Sequence, residues 1–376
     1  METQLIKIKI LFTIPNFDTA GSGNALLNVA KNLDKSRFEP HICCFHTRGK
    51  FFKVIEDSGI PIHIKKTTHQ MIPRLSGLKK TFYLASYFKC LGIDIIHSFH
   101  YGDDYSEALA ARLAGIPWVY TKKNMNWGGK SKRSWLLRTF LSKHILVQNT
   151  EMFKFFAKNS DKVTLVPRGV DTKEFYPRKP NSKILNQFKI NKNDNVLICV
   201  ANLHPVKGVE ILIDAFLKLS KKYNPIHLFI VGFKSNKYGK SLEKKIEKGH
   251  KKNNIYFLGK VDNVKDFLSV SNLFILPTLN IKRKEGCPVA ILEALASGLK
   301  VLGSDVCGIN NILSDFPENL FEPGNIDELK RKIEIQLSQE DKHLSKRLLN
   351  HTIKNYDITV ESKRHEEIYL KISNEE

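Results

Sequence analysis

Short apolar runs alternate with helix-length amphipathic segments along nearly the whole chain, and the series runs twice. Runs at 8–14, 41–45, 60–64, 94–98, 118–121, 144–147 and 163–166 read as strands, with helices at 24–33, 78–91, 105–114 and 151–158 between them. The pattern then restarts. Strands are expected at 196–201, 227–231, 255–258, 273–276 and 301–303, separated by helices at 209–221, 241–250, 264–270 and 289–297. Repeated strand–helix units pair their strands in parallel and lay helices on both sheet faces. Two series predict an α/β chain of two doubly wound Rossmann-like domains facing a central cleft.

The boundary is marked by residues 171–182, which hold two prolines and no apolar periodicity and read as a linker. The expected division is a first domain at 1–170, the linker, a second domain at 183–354, and a C-terminal helix at 355–376 that packs back on the first domain. When two such domains face each other, the carboxyl ends of both sheets surround one cleft, and ligands bind there. The chemistry is therefore sought in loops that follow strands.

Composition narrows the class. At 376 residues, 42% hydrophobic and 26% charged, the chain is neither a disordered tail nor a small disulfide scaffold. No run approaches eighteen apolar residues, and the first ten are too short and too charged for a signal peptide, so a cytoplasmic protein is expected. Cys43, Cys44, Cys90, Cys199, Cys287 and Cys307 form no C-x-x-C pair and read as free thiols rather than zinc ligands or disulfides.

The net charge of +22 is uneven, with +15 in residues 1–180 and +7 in 181–376. No acid occurs from 58 to 93 or from 108 to 150. Within the second stretch, 130–143 reads as a basic amphipathic helix carrying Lys132, Arg133 and Arg138, with Trp135, Leu136, Leu137 and Phe140 as an apolar face. Such a helix suits peripheral contact with an anionic membrane on the inner face of the cell. The blander reading puts Trp135 and Phe140 in an ordinary core with a solvated basic rim. Nucleic acid is set aside, because the cations are scattered rather than gathered in a recognisable module.

Four loops carry the residues that could do chemistry. The first is Glu285-Gly286-Cys287-Pro288-Val289, with Glu293 further along the same segment. Pro288 suits a first helical turn, and backbone N–H groups near Cys287 and Val289 could hold a phosphate. Glu285 and Glu293 stand eight positions apart and reach different parts of one ligand, such as sugar and ribose hydroxyls. The second loop, 200–208, contains Asn202 and ends in Lys207 and Gly208. A cation is disfavoured at a helix N-terminus, so a bound diphosphate would explain Lys207. The third loop holds Gly21 and Gly23 after the first strand, as a tight turn or a phosphate contact. The fourth carries His97 and His100 at a strand end, where an imidazole can orient a substrate hydroxyl. No D-x-D triplet occurs, so no metal is expected, and helix dipoles with Lys207 must stabilise a leaving diphosphate.

Read together and in order, Gly21–Gly23, 165–171, 200–208, 257–259 and the E-x7-E pair Glu285 and Glu293 resemble the retaining GT-B glycosyltransferases of family 4, or group 1. The resemblance spans the chain and is strongest from 163 to 305. It implies that Glu285 sits by the transferred sugar, with Gly286, Cys287, Pro288 and Val289 offering backbone to sugar and diphosphate. It implies further that Glu293 binds ribose, Lys207 the diphosphate and the backbone at Gly259 the base, while Gly21 and Gly23 approach from the first domain.

Three departures stand out. Asn202 replaces an arginine common in the family, leaving Arg168 as one candidate for the missing cation. Arg168 itself stands where an asparagine is usual. The usual His-x-His has become His97-Ser-Phe-His100, and His100 is favoured at the acceptor.

The expected function is transfer of a hexosyl or N-acetylhexosaminyl group from a nucleotide-diphosphate sugar to a glycan or lipid-linked hydroxyl in cell-surface polysaccharide biosynthesis. UDP is slightly favoured over GDP, and no further cofactor is expected. Rival readings are a nucleotide-sugar epimerase or hydrolase on the same fold, and an inert scaffold that binds membrane or glycan.

Overall fold

The computed structural model describes residues 7–18, 20–49, 51–123, 125, 132–156, 161–219, 225–247, 254–281, 285–338 and 342–375, with backbone only at Ala20, Lys132 and Lys342. The chain forms two compact units, Met1–Arg168 with Ile358–Glu376, and Gly169–Asp357.

In the first unit the elements run β1 (Ile8–Thr13), α1 (Ala20–Asn32), β2 (Phe38–Cys44), α2 (Phe52–Glu56), β3 (Ile62–Ile64), α3 (Arg74–Cys90), β4 (Ile95–Ser98), α4 (Ser106–Ala114), β5 (Trp118–Lys122), α5 (Lys132–Leu141), β6 (His144–Val147), α6 (Thr150–Phe155) and β7 (Val163–Leu165). The strands form one parallel sheet in the order β3-β2-β1-β4-β5-β6-β7. Side chains alternate across it. Ile10 and Phe12 join the apolar cluster on one face, whereas Leu11 joins the cluster on the other. Burial on both faces is why these strands read as unbroken apolar runs.

The second unit runs α7 (Ser182–Phe188), β8 (Asn195–Val200), α8 (Val209–Leu219), β9 (Ile226–Val231), α9 (Lys237–Glu247), β10 (Ile255–Gly259), α10 (Val264–Ser269), β11 (Leu273–Leu276), α11 (Val289–Ala296), β12 (Lys300–Ser304), α12 (Ile309–Ile312), β13 (Leu320–Phe321), α13 (Ile326–Ser338) and α14 (Lys342–Tyr356). Its six strands are also parallel, in the order β10-β9-β8-β11-β12-β13. Val196 and Ile198 pack on one side of β8, and Leu197 and Cys199 on the other. The chain is thus α/β, with two doubly wound Rossmann-like domains.

Residues 171–182 fold as part of the second unit instead of standing apart as a linker. Asp171 accepts backbone hydrogen bonds from Lys173 and Glu174, Thr172 bonds Asp357, and Asn181 caps α7 by accepting from the Lys183 N–H at 3.0 Å.

The last helix, α15 (Ile358–Asn374), belongs to the first unit and packs on α1. Tyr369 and Ile372 are buried in the same cluster as Phe12 and Phe38. Arg168 is fixed there too, its Nε 3.2 Å from Glu361 of α15, with both side chains buried.

Candidate active site

In a doubly wound sheet, ligands bind where neighbouring strands send their connections to opposite faces. In the second unit that point lies between β8 and β11, which pair side by side through Leu197 and Leu273. The loop after β8 passes exposed Asn202 into a 3-10 turn, Pro205–Lys207, and then through Gly208 into α8. The loop after β11 leads through Glu285 to α11. The two loops are stitched together by the Leu279 N–H, which donates to the Val206 carbonyl at 2.8 Å. Gly208 has φ +58°, and a β-carbon there would lie 2.1 Å from the Pro277 carbonyl oxygen. Only glycine allows that approach.

Across this seam the Lys207 ammonium is ion-paired with the Glu285 carboxylate, each side chain about one-fifth exposed. Lys207 closes the 3-10 turn ahead of α8 rather than lying within the helix. Glu285 is followed by buried Gly286, whose carbonyl abuts Gly308, where a β-carbon would lie 2.4 Å away. Pro288 then opens α11 as its N-cap residue at φ −75°. Its N-terminal N–H groups give the positive end of a helix dipole beside Lys207 and Glu285. Half-buried Glu293 lies in the second turn of α11.

The neighbouring strand ends are equally close-knit. Gly259 ends β10 at φ +70°, and its carbonyl accepts the Gly232 N–H at 2.8 Å. A β-carbon on Gly232 would lie 1.8 Å from the Ala201 carbonyl oxygen. Beside them Lys234 bonds the Phe257 carbonyl at 3.1 Å and Glu243 at 3.0 Å. Gly232 and Lys234 escaped the sequence reading, although a glycine directly after the apolar run 227–231 was the available signal.

In the first unit the expected histidines are not presented to a ligand. His97 is fully buried, its Nδ1 hydrogen-bonded to the Tyr369 hydroxyl at 2.5 Å and its Nε2 to Thr121 Oγ1 at 2.8 Å. Burial holds its pKa well below the ordinary value, so the ring is neutral and joins the β4 strand to α15. His100 is 7% exposed, with Nε2 3.2 Å from Thr67 Oγ1 and 3.4 Å from Glu107 Oε1. Burial alone would raise the Glu107 pKa, but His100 and the hydrogen bonds from it, Thr67 and Ser98 hold it down at about 2. The second oxygen accepts from Trp118 Nε1 at 3.1 Å.

Gly21 and Gly23 also differ from expectation, since they occupy the first turn of α1 instead of a loop. Among the described residues nothing stands within 4 Å of a β-carbon on Gly21, whereas Gly23 lies tight against Phe17 and Phe51.

Helix α5 keeps part of the expected apolar face, since Leu136, Leu137 and Phe140 are exposed and only Trp135 turns inward. Trp135 and Phe140 are five positions apart and fall on different sides, so Trp135 is buried while Phe140 is 78% exposed. Arg138 is 1% exposed, its guanidinium stacked 4.8 Å from Trp118 and 4.7 Å from Tyr120 and bonded to the Asp104 carbonyl. Arg133 is exposed, whereas residue 130 and the Lys132 side chain lie outside the described residues. Among the described residues no helix is long and apolar enough to cross a membrane. All six cysteines are free thiols, Cys90 exposed and Cys287 half-buried.

Comparison with known proteins gives this geometry its context. Residues 181–355 match the model for "Glycosyl transferases group 1", and residues 19–174 match "Glycosyltransferase Family 4". The chain is 24% identical over 349 residues to N,N'-diacetylbacillosaminyl-diphospho-undecaprenol alpha-1,3-N-acetylgalactosaminyltransferase of Campylobacter jejuni, covering 86% of this chain and 89% of that one. It is 25% identical to UDP-Gal:alpha-D-GlcNAc-diphosphoundecaprenol alpha-1,3-galactosyltransferase of Escherichia coli, covering 78% and 79%. Among solved structures, a glycosyltransferase from Rickettsia africae superposes with a TM-score of 0.86 at 19% identity, covering 97% of this chain and 98% of that one. HepE from Anabaena, in complex with UDP and glucose, superposes with a TM-score of 0.78 at 19% identity, covering 96% and 99%. The chain belongs to the GT-B glycosyltransferases of group 1 and family 4.

Proposed function

We propose that the chain is a retaining glycosyltransferase of cell-surface polysaccharide assembly. It moves a hexosyl or N-acetylhexosaminyl group from a UDP-sugar to a hydroxyl of a lipid-linked or glycan acceptor, without a metal ion. The observation that carries this reading is the Lys207–Glu285 pair at the β8/β11 switch point, beside the start of α11. The donor class is supported by HepE, solved with UDP and glucose, and the acceptor class by two relatives named for diphospho-undecaprenol-linked acceptors.

In this reading the diphosphate replaces Glu285 as the partner of Lys207 and takes the N–H groups of α11 as well. Glu285, released from Lys207, turns to the transferred sugar, and Glu293 accepts hydrogen bonds from the ribose hydroxyls. Asn202, Gly259, Gly286, Cys287, Pro288 and Val289 complete the donor contacts, chiefly through backbone. As the glycosidic bond breaks, negative charge grows on the leaving phosphate, where Lys207 and the helix dipole are already aimed. That phosphate oxygen takes the acceptor proton on the face it leaves, so a dedicated base is unnecessary and configuration is retained. Burial of His97 and His100 agrees with this, since neither imidazole is displayed for proton transfer.

The test is the melting temperature with a panel of nucleotides and nucleotide-sugars, with and without EDTA, on wild type and Glu293→Ala. A ligand at a hundred times its Kd stabilises by about 2.7 kcal/mol, an easily read shift. A shift with UDP that ignores EDTA and is lost in Glu293→Ala supports the reading; no shift with any nucleotide contradicts it.

A further inference from the structure

The first unit has a switch point of its own, which donor binding leaves unused. β1 and β4 lie side by side in its sheet, with Thr13 opposite Ser98, and the chain continues from them to β2 on one side and to β5 on the other. Ligands of a doubly wound sheet bind at such a point, beside the loops that leave the strands. The sequence predicts His100 there. The loop after β4 instead turns Phe99 and His100 inside and leaves Tyr101 outside, 46% exposed.

A lone exposed aromatic is ordinary on a protein surface. Tyr101 is set apart by how firmly it is held. Lys123 Nζ lies 3.7 Å from the centre of its ring and donates to the Phe99 carbonyl at 2.5 Å. Lys123 directly follows β5, so the end of the neighbouring strand props the ring. Further on, the same loop is pinned where it enters α4. Asp104 Oδ1 accepts from the Ser106 N–H at 2.9 Å and from its hydroxyl at 2.6 Å, and the Asp104 carbonyl accepts from Arg138 at 2.7 Å. The Ser106 hydroxyl in turn accepts the His69 N–H at 3.0 Å. A ring fixed in advance loses little freedom when a ligand packs on it. A pyranose suits such a ring, because its hydroxyls lie around the edge and its C–H groups line the faces.

We propose that Tyr101 packs against a pyranose ring of the acceptor and helps to select it. The proposal rests on the glycosyl-transfer reading, and it supplies the acceptor contact that buried His100 does not. The ligand taken at this switch point is a sugar that offers C–H groups along one face.

The test is saturation-transfer NMR of the full chain, with UDP saturating, against methyl pyranosides of gluco, galacto, N-acetylgluco and N-acetylgalacto configuration. At least one should bind, with transfer strongest at its ring C–H protons. Burial of roughly 60 Å² of apolar surface corresponds to about tenfold in affinity. Tyr101→Ala should therefore weaken that binding about tenfold, and Tyr101→Trp should keep it within threefold of wild type. Phe140→Ala, which removes an exposed ring on α5, should leave it unchanged. Tyr101→Ala should also retain the wild-type melting temperature and its UDP-induced rise. No pyranoside signal in the wild type, or an equal signal in Tyr101→Ala, overturns the proposal. Absence of any UDP-induced rise in the wild type defeats the donor reading instead, so the two fail separately.

Discussion

Lys207 and Glu285, 78 positions apart in the sequence, are ion-paired across the loops that leave β8 and β11. Both lie at the β8/β11 switch point, the place where doubly wound sheets bind their ligands. The pair satisfies a half-buried ammonium and a half-buried carboxylate at once, and a bound diphosphate would compete for the ammonium.

That competition predicts opposite effects for two conservative changes. Lys207→Met should weaken UDP binding by about tenfold to a hundredfold, the usual range for a lost charge-assisted bond. Glu285→Gln frees Lys207, so it should leave UDP affinity unchanged or tighter while sugar transfer collapses. Titration calorimetry with UDP, beside a turnover assay, separates the two.

Gly208 gives a stability prediction. Gly208→Ala combines a positive φ with a β-carbon 2.1 Å from a backbone oxygen, so the β8 and β11 loops must part. Urea unfolding should show a loss of about 2–3 kcal/mol, with UDP binding falling alongside.

Gly21→Ala should do the reverse. The position is helical with open space around it, so alanine should stabilise the first unit by about 0.5–1 kcal/mol. If Gly21 approaches the donor, as the family resemblance implies, turnover falls while stability rises. Thermal unfolding and initial rates measured together decide it.

Acid should unfold the first unit through its buried histidines. Burial pushes His144 and His365 down to about 4 and His97 well below its ordinary value. In the unfolded chain each titrates near ~6.5. Their folded pKa values are depressed, so the unfolded state binds more protons below pH ~6.5. Stability is full above that pH and falls as pH drops toward about 4, by up to about 1.4 kcal/mol per pH unit for each histidine. Denaturant titrations at pH 7 and pH 5 should show the loss, and His144→Gln should reduce the slope.

Much of the fold was legible because parallel strands buried on both faces read as apolar runs. The bounds of β6 and β11 match the runs at 144–147 and 273–276. The two-residue β13 was too short to register, and the prolines before α7 hid its Asn181 cap within an apparent linker. At the site, the loop chemistry of Lys207 and Glu285 could be read from local sequence, since each is placed by its own strand end. Their pairing could not, because it joins two loops across the switch point. His97 was misread for a similar reason, as the Tyr369 that engages it lies 272 positions away. Arg138 looked like a surface cation because the sequence does not show that Trp118 and Tyr120 lie beneath it.

The most direct test of the central claim is the anomeric configuration of the product, read by NMR after incubation with α-configured UDP-sugars and a polyprenyl-diphosphate-linked sugar. The account predicts an α-linked product that forms equally in EDTA and is lost in Glu285→Gln. A β-linked product, or release of free sugar with no acceptor modified, would contradict it.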